Sequence, residues 1–234
     1  MSGTLILVGV GPGAPDLMTI RAANVVDEVP VIAYVETAEG GTMALDIARR
    51  HCNPHAIYLP VVMPMSTDRA PGRAAYDAAA EAIRAHLEAG RDVAWLCEGD
   101  PLFYGSAMYL LGRLAARATV RVVPGVTSLT AAAAALPRPL AARDEMLKVL
   151  PATLPDAALR PELETEAAVA ILKVGRHFDR VRALLEATGR LPGAVLVEHA
   201  TTGREQVTRL ADVSDGARPY FSIILSRAEG TAWL

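Results

Sequence analysis

Short runs of β-branched and other apolar residues alternate with longer segments rich in Ala and Leu along most of the chain. Apolar runs bounded by Gly or Pro are typical of buried strands, and the longer segments are typical of helices. Their alternation predicts an α/β fold built on parallel strands. The predicted strands are Leu5–Val10, Val31–Val35, Ala56–Pro60, Asp92–Cys97, Val120–Val123, Met146–Leu150, Ala168–Val174, Ala194–Glu198, Gln206–Arg209 and Tyr220–Ser226. The predicted helices are Thr19–Val26, Thr42–Arg50, Ala74–Ala89, Ser106–Ala116, Thr127–Leu136, Asp156–Leu163 and His177–Ala187.

The pattern changes after Pro124-Gly125, where strands become more frequent than strong helices. We therefore predict two α/β lobes, an N-terminal lobe of residues 1–123 and a C-terminal lobe of residues 124–234. The polar stretch Met65–Gly72, with a Pro and a Gly, predicts an exposed loop.

Composition narrows the classes of function. The chain has 234 residues and a formal net charge of −3, so no strong positive field favours nucleic acid or anionic lipid. No apolar run reaches the roughly 18 to 20 residues of a membrane span, and the start of the sequence lacks a signal-peptide pattern. The two cysteines argue against a disulfide framework. These features predict a cytoplasmic protein that binds neither nucleic acid nor membrane.

The first strand runs into a turn, Gly9-Val10-Gly11-Pro12-Gly13-Ala14, that fits the dinucleotide pattern G-x-G-x-x-G/A. Glu36 follows about 22 residues after Ala14, close to the spacing of a ribose-binding acid. Pro12 and Pro15 argue against an NAD site, because they remove backbone N–H donors that a pyrophosphate needs and delay the helix. An NAD-binding module is therefore the less favoured alternative.

A second break follows the strand at Asp92–Cys97, in Glu98-Gly99-Asp100-Pro101. Gly-Asp-Pro is also ordinary turn chemistry. Two carboxylates beside Phe103 and Tyr104 nevertheless suit a cationic or polar ligand with an aromatic base, at the strand end where α/β sheets bind ligands.

Two further strand ends carry polar side chains. After Pro124-Gly125, Thr127 or Ser128 is placed either to cap the next helix or to face the same crevice. In the C-terminal lobe, Lys173, Arg176 and His177 follow a strand, either as solvated charges at a helix start or as an anion site that includes Arg138, Arg143, Lys148 and Arg204. His51 and His55 have helical spacing, but Pro54 lies between them, and no Cys/His set predicts a metal site.

Four stretches taken together resemble the tetrapyrrole methylase family, whose members transfer methyl groups from S-adenosylmethionine. They are GVGPGAPDLMTI, CEGDPLFYGS, VVPGVTS and ILKVGRH, in this order along nearly the whole chain. Three longer stretches, LCEGDPLFYGSAMYLL, PLAARDEMLKVLPATLP and KVGRHFDRVRALLEATG, are most similar to members that methylate C-20 of precorrin-2 in cobalamin biosynthesis. Members acting on uroporphyrinogen III typically have Gly-Gly-Asp-Pro where this chain has Glu98-Gly99-Asp100-Pro101.

The resemblance implies two α/β lobes with S-adenosylmethionine held in a cleft between them, in a homodimer. By motif position, the residues that it places at the cofactor are Pro12, Glu98, Gly99, Asp100, Phe103, Thr127, Ser128, Val174 and Ala200. One departure is Ala14, where the family often has Asp.

The implied reaction is methyl transfer to C-20 of precorrin-2, giving precorrin-3A and S-adenosylhomocysteine. The alternatives are a cobalt-precorrin-2 substrate or another tetrapyrrole, uroporphyrinogen III. Because the sulfonium is already electrophilic, alignment accounts for most of the catalysis and no nucleophilic side chain is required. The candidates for accepting the C-20 proton are Glu98, Asp100, Tyr104 and His177. The candidates for the substrate carboxylates are Arg138, Arg143, Lys148, Arg176 and His177, and no metal is predicted.

Overall fold

The computed structural model describes residues 2–64 and 69–227, which form two compact units divided between Thr127 and Ser128. The predicted boundary after Val123 lies four residues earlier. The first unit contains β1 (Thr4–Gly9), α1 (Ile20–Glu28), β2 (Val31–Thr37), α2 (Met43–Ala48), β3 (Ile57–Met63), α3 (Arg69–Glu88), β4 (Val93–Cys97), α4 (Ala107–Leu114) and β5 (Thr119–Val123). The second contains α5 (Ser128–Ala135), β6 (Leu147–Pro151), α6 (Asp156–Leu163), β7 (Ala168–Leu172), α7 (Phe178–Ala187), β8 (Ala194–Glu198), β9 (Gln206–Arg209) and β10 (Ser222–Ser226).

The first unit is a five-stranded parallel sheet in the order β3-β2-β4-β1-β5. Its central strands are apolar on both faces because helices cover both. Leu5 and Leu7 of β1 pack into the cluster formed with α3 and α4, whereas Ile6 and Val8 pack into the cluster formed with α1 and α2. Continuous apolar runs rather than strict alternation are expected for such a doubly covered sheet.

The second unit is a mixed five-stranded sheet in the order β6-β7-β10-β8-β9. β6 and β7 are parallel, but β10 is antiparallel to both β7 and β8, and β9 is antiparallel to β8. Among the described strands of this unit, the predicted parallel pairing is therefore found between β6 and β7 only. The reason lies in the connections, because no α-helix separates β8, β9 and β10, and antiparallel neighbours do not need a helical crossover.

One face of the second sheet is covered by α6 and α7. Leu159 and Leu163 of α6 and Phe178 and Val181 of α7 are fully buried in one cluster with the sheet. The guanidinium of Arg190, just after α7, is also buried and donates to the carbonyl oxygens of Leu163, Thr165 and Ala167. It thereby fixes the connection from α6 to β7.

The predicted loop Met65–Gly72 is wrong from Arg69 onward, where α3 begins; residues 65–68 lie outside the described part of the chain. Pro71 and Gly72 suggested a loop, but a proline in the first turn of a helix removes only an N–H that has no intrahelical partner. The other predicted helices and strands are confirmed to within a few residues at their ends.

Candidate functional site

Three of the sequence motifs converge at one edge of the first sheet. The turn with Pro12 follows β1, the Glu98–Pro101 turn follows β4, and the Pro124–Thr127 segment follows β5. These strands are neighbours in the order β4-β1-β5 and all are parallel, so their carboxyl ends lie side by side. This edge is where open α/β sheets bind ligands.

Glycines let the three turns approach one another at backbone distance. The N–H of Gly99 donates to the carbonyl of Gly11 at 2.7 Å, and the N–H of Gly11 returns a bond to Gly99 at 3.3 Å. A Cβ on Gly125 would lie 2.1 Å from the carbonyl oxygen of Gly99, and one on Gly9 would lie 2.6 Å from the nitrogen of Gly125. Glycine at these positions therefore allows the turns at the strand ends to pack directly against one another.

The carboxylate of Asp100 connects two of these turns. Its Oδ1 accepts from the N–H of Leu102 at 2.9 Å, within its own turn. Its Oδ2 accepts from the N–H of Gly125 at 3.0 Å, in the turn after β5. Both oxygens thus accept backbone hydrogen bonds, so Asp100 holds the turns after β4 and β5 in position relative to each other.

Glu98 is solvent-exposed on one side and crowded by protein on the other. Burial of the carboxyl raises its pKa, opposed by hydrogen bonds from its own N–H and from the N–H of Ala44 in α2. A carboxylate with a raised pKa is a stronger base and a good acceptor for a ligand hydroxyl or cation.

The aromatic pair Phe103 and Tyr104 follows in the same loop. Their rings meet edge to face with centroids 5.3 Å apart, and Tyr104 has a left-handed backbone with φ of +55°. Tyr104 is 40% exposed and neighbours Leu102, which is 55% exposed. An exposed ring held by a constrained backbone suits contact with a planar ligand.

The turn after β1 differs from that of a dinucleotide site. Pro12 is buried at the strand end, a single 3₁₀ turn spans Pro15–Leu17, and α1 begins only at Ile20. The side chain of Thr19 caps α1 by accepting from the N–H of Ala22 at 3.1 Å. No helix N-terminus follows the glycines directly, as the two prolines predicted, which argues against a pyrophosphate site there.

In the second unit, β6, β7 and β8 run in the same direction, so the segments after β7 and β8 share an edge. Lys173 after β7 and His199 and Thr201 after β8 all have left-handed backbones, with φ of +58°, +50° and +66°. Such strain in residues other than glycine is concentrated at functional sites. Ala200 lies within this strained turn.

Three other predicted cofactor contacts lie in the second unit or at the division between the units. The side chain of Val174 is fully buried in the core of the second unit, so a ligand there would meet its backbone only. Ser128 is the first residue of α5, and Thr127 precedes it at the division between the units. Both hydroxyl residues are half-buried.

The predicted carboxylate-binding set lies in the second unit but is not uniform. The ammonium of Lys148, within β6, lies 2.6 Å from the carboxylate of Glu162, so its charge is already paired. Burial, reinforced by Arg180 and Arg176, lowers the pKa of His177, which keeps it neutral near pH 7. Exposed guanidinium groups remain at Arg138, Arg143, Arg176 and Arg204.

The sequence reasoning did not single out His199. Its Nδ1 is buried and has no hydrogen-bond partner among the described residues. The available signal was a histidine placed directly after a strand end, beside Ala200.

Within the described residues, no group of three or more His, Cys, Asp and Glu is arranged to hold a metal ion, and no helix is long and apolar enough to cross a membrane.

A model of the tetrapyrrole (corrin/porphyrin) methylases matches residues 4–213. The chain belongs to this family. Among curated tetrapyrrole methylases, it is 42% identical over 232 residues to the precorrin-2 C(20)-methyltransferase of a Sinorhizobium species, covering 95% of this chain and 94% of that protein. It is 35% identical to the cobalt-precorrin-2 C(20)-methyltransferase of Salmonella typhimurium, covering 96% of each. It is also 43% identical to the cobalamin biosynthesis protein CobIJ of Mycobacterium bovis, but spans only 46% of that protein's length.

Solved tetrapyrrole methylase structures have the same fold. A cobalt precorrin-4 methyltransferase aligns over 96% of this chain and 94% of its own, with a TM-score of 0.77 and 23% identity. The uroporphyrin-III C-methyl transferase of Thermus thermophilus, complexed with S-adenosylhomocysteine, aligns over 96% and 97% with a TM-score of 0.71 and 25% identity. The two-lobed α/β architecture expected from the motifs is confirmed.

Proposed function

We propose that this chain is an S-adenosylmethionine-dependent methyltransferase that methylates C-20 of precorrin-2, giving precorrin-3A and S-adenosylhomocysteine. The observation that carries the proposal is the 42% identity to a precorrin-2 C(20)-methyltransferase over nearly the full length of both chains. The related protein that acts on cobalt-precorrin-2 makes the cobalt-loaded substrate the second candidate.

The residues at the edge of the first sheet fit S-adenosylmethionine by their chemistry. S-adenosylmethionine has a net positive charge and ribose hydroxyls, and both suit a site that contains the carboxyl of Glu98. A negatively charged pyrophosphate would suit that site less well. The backbone of Gly99, the ring of Phe103 and the turn around Pro12 complete this edge. S-adenosylmethionine supplies an electrophilic methyl group, and the chain supplies alignment and exclusion of water.

Replacing the hydrogen at C-20 by a methyl group releases one proton. We assign Asp100 a positioning role instead, because its two oxygens hold the turns after β4 and β5 together. Glu98, with a raised pKa, and His177, neutral near pH 7, retain the lone pairs and basicity required. We place the proton on Glu98, since it follows β4 in the same turn as the other cofactor candidates.

The exposed arginines of the second unit are proposed to bind the peripheral carboxylates of the tetrapyrrole. Neutralising Arg143 or Arg176 should raise the substrate KM at low salt, where charge attraction is least screened. Lys148→Gln is the control, because Lys148 is already paired with Glu162 and its loss should change KM less. An unaltered KM in both arginine variants would remove this assignment.

Three exposed apolar residues support a homodimer. Leu102, Met108 and Tyr109 are each between 49% and 55% exposed and lie within eight consecutive positions, in the loop after β4 and in α4. Exposed apolar residues concentrated in one segment of the chain are compatible with a protein interface there. A second copy of the chain is the proposed partner.

We also propose a cytoplasmic location, which agrees with two cysteines that are both buried free thiols.

The deciding experiment is incubation of the full chain with S-adenosylmethionine and precorrin-2, followed by mass spectrometry. A product heavier by one methyl-for-hydrogen exchange is expected, and NMR of carbon-labelled product should place the methyl on C-20. Parallel reactions with cobalt-precorrin-2 and uroporphyrinogen III rank the alternative substrates. Methylation of uroporphyrinogen III alone, or tight binding of NAD without S-adenosylhomocysteine, would contradict the proposal.

A further inference from the structure

Tyr76 of α3 is a buried tyrosine whose ring is fixed by its neighbours in the first unit. It is 8% exposed, and its ring centroid lies 4.8 Å from that of Tyr109 on α4 and 6.5 Å from that of Trp95 on β4. The guanidinium of Arg113 lies over the same ring, 5.9 Å from its centroid. The hydroxyl of a buried tyrosine usually has a hydrogen-bond partner. Because the ring is held on several sides, the hydroxyl of Tyr76 is held in one place.

The partner of that hydroxyl is Ser106, the last residue of the loop after β4. The Ser106 hydroxyl donates to the phenolic oxygen of Tyr76. Burial raises the pKa of Tyr76 more than this bond lowers it, so the phenol stays neutral. Ser106 directly precedes α4, where a serine side chain commonly caps a helix, but among the described residues its hydroxyl makes no capping bond. The hydroxyl of Ser106 thus joins the loop to α3 instead of stabilising the start of α4.

The end of this loop is packed tightly against its beginning. A Cβ on Gly105 would lie 2.8 Å from the carbonyl oxygen of Pro101 and 3.0 Å from that of Asp100. Because the packing is this close, a shift of Ser106 displaces the beginning of the loop as well. The carboxylate of Asp100 in turn accepts from the N–H of Gly125, in the turn after β5. A continuous chain of contacts therefore leads from α3 to the turns after β4 and β5.

We propose that Tyr76 is a positioning residue that holds the turns after β4 and β5 in the arrangement that binds the cofactor. The inference rests on the proposed function, which places S-adenosylmethionine at this edge of the first sheet. Tyr76 acts through Ser106 and Asp100 rather than by touching the ligand. The supporting observation is that its bond ties α3 to a loop at the carboxyl ends of parallel strands, where open α/β sheets bind ligands.

The test compares Tyr76→Phe with Tyr58→Phe in the full chain. Tyr76→Phe keeps the ring and removes only the oxygen to which Ser106 donates. Tyr58→Phe is the matched control, because the Tyr58 hydroxyl also makes one hydrogen bond, to the carbonyl of Asn53 at 3.1 Å, but lies near the amino end of β3. We expect the dissociation constant of S-adenosylhomocysteine to rise about fivefold in Tyr76→Phe, the effect of one neutral hydrogen bond. In Tyr58→Phe it should stay within about twofold of the wild-type value.

Calorimetry well below the unfolding temperature of every variant separates positioning from stability. A substitution that only lowers the free energy of unfolding leaves the dissociation constant of the fully folded protein unchanged. Weaker binding by folded Tyr76→Phe therefore reports a displaced site. Equal affinity of wild type and Tyr76→Phe, or an equal loss of affinity in Tyr58→Phe, would overturn the inference.

A double-mutant cycle shows whether the effect passes through Ser106. Ser106→Ala should weaken the binding of S-adenosylhomocysteine about as much as Tyr76→Phe, because each removes the same hydrogen bond. The double variant should then bind no more weakly than either single variant, whereas additive losses would contradict the inference. A wild-type protein that neither binds S-adenosylhomocysteine nor transfers a methyl would instead defeat the proposed function, and this inference with it.

Discussion

Asp100 illustrates how a motif residue acts through the backbone. Its two oxygens accept the N–H groups of Leu102 and Gly125, which belong to different turns. Asp100→Asn replaces one acceptor by an NH₂ group that faces an N–H, so one backbone donor loses its partner. We expect a loss of about 1–3 kcal/mol in the free energy of unfolding. Urea unfolding measures the loss, and calorimetry with S-adenosylhomocysteine should show weaker binding.

Asp92→Asn is the matched control for this variant. Asp92 lies just before β4, at the opposite end of that strand from Asp100. Among the described residues, only its Oδ1 accepts a hydrogen bond, from the N–H of Thr4 at 2.6 Å. The Asn carbonyl can make the same bond, so a small change in stability and normal ligand binding are expected. Equal effects of the two variants would mean that Asp100 does not organise the site.

Glu98 allows a pH-dependent prediction at the residue scale. Burial raises the pKa of its carboxyl in the folded protein. Below its ordinary pKa of about 4.3, the Glu98 carboxyl is protonated in both the folded and the unfolded protein, so its ionisation does not change the free energy of unfolding. As the pH rises, the carboxyl ionises first in the unfolded chain, so the wild type loses stability relative to Glu98→Gln. The loss becomes constant above the folded pKa.

Urea unfolding of wild type and Glu98→Gln over a pH series measures this difference. Gln is a suitable comparison because its carbonyl can still accept from the N–H of Ala44. Subtracting the two curves cancels the titration of every other carboxyl. A difference that stays constant from acid to neutral pH, or that shrinks as the pH rises, would contradict the raised pKa.

At the scale of elements, the site depends on how closely the ends of β1, β4 and β5 approach. A Cβ at Gly125 would lie 2.1 Å from the carbonyl oxygen of Gly99, which also accepts from the N–H of Gly11. Gly125→Ala must therefore push two turns apart. We expect a loss of about 1–3 kcal/mol in stability and at least about a tenfold loss in affinity for S-adenosylhomocysteine, roughly 1.4 kcal/mol.

Gly112→Ala is the control, because a Cβ at Gly112 on α4 meets no atom within 4 Å. Within a helix, replacing Gly by Ala stabilises by about 0.5–1 kcal/mol. The two substitutions should therefore move the urea midpoint in opposite directions. Normal ligand binding by Gly125→Ala would show that the close approach of the turns does not shape the site.

The elements were predictable where local patterns decide them. The apolar run of β1 is bounded by glycines, and Pro12 and Pro15 delay the start of α1 to about Thr19, so both elements were found from sequence. The direction of β10 was not, because pairing with β7 and β8 depends on contacts distant in sequence. The start of α3 was missed because Pro71 and Gly72 are ambiguous between a loop and a first helical turn.

The candidate site could also be predicted from the sequence only in part. Sequence motifs located Glu98 and Asp100 at a strand end, since strand ends are visible as breaks in apolar runs. They did not show that Asp100 holds Gly125, which is 25 positions away. Nor did they show that the Nδ1 of His199 lacks a partner, because burial of a single atom is set by tertiary packing. Motifs thus identify positions, whereas roles require the contacts.

At the scale of the whole molecule, the exposed patch on the loop after β4 and on α4 predicts how two copies associate. Met108 is 51% exposed and Tyr109 49% exposed, and the Tyr109 ring packs on Tyr76 at 4.8 Å between centroids. A carboxylate at Met108 would be buried without a partner in a dimer formed through this patch. We expect Met108→Asp to weaken self-association at least about tenfold, roughly 1.4 kcal/mol.

Sedimentation over a range of protein concentrations measures the dissociation constant of the dimer. Ile20→Asp is the control, because Ile20 is 82% exposed on α1, and an acidic residue is favourable in the first turn of a helix. Wild type and Ile20→Asp should sediment as dimers at concentrations where Met108→Asp is a monomer. Dissociation by Ile20→Asp alone would place the interface on α1, and a monomeric wild type would remove the dimer from the proposal. Because Met108 is not among the candidate cofactor contacts, normal binding of S-adenosylhomocysteine by monomeric Met108→Asp would separate assembly from ligand recognition.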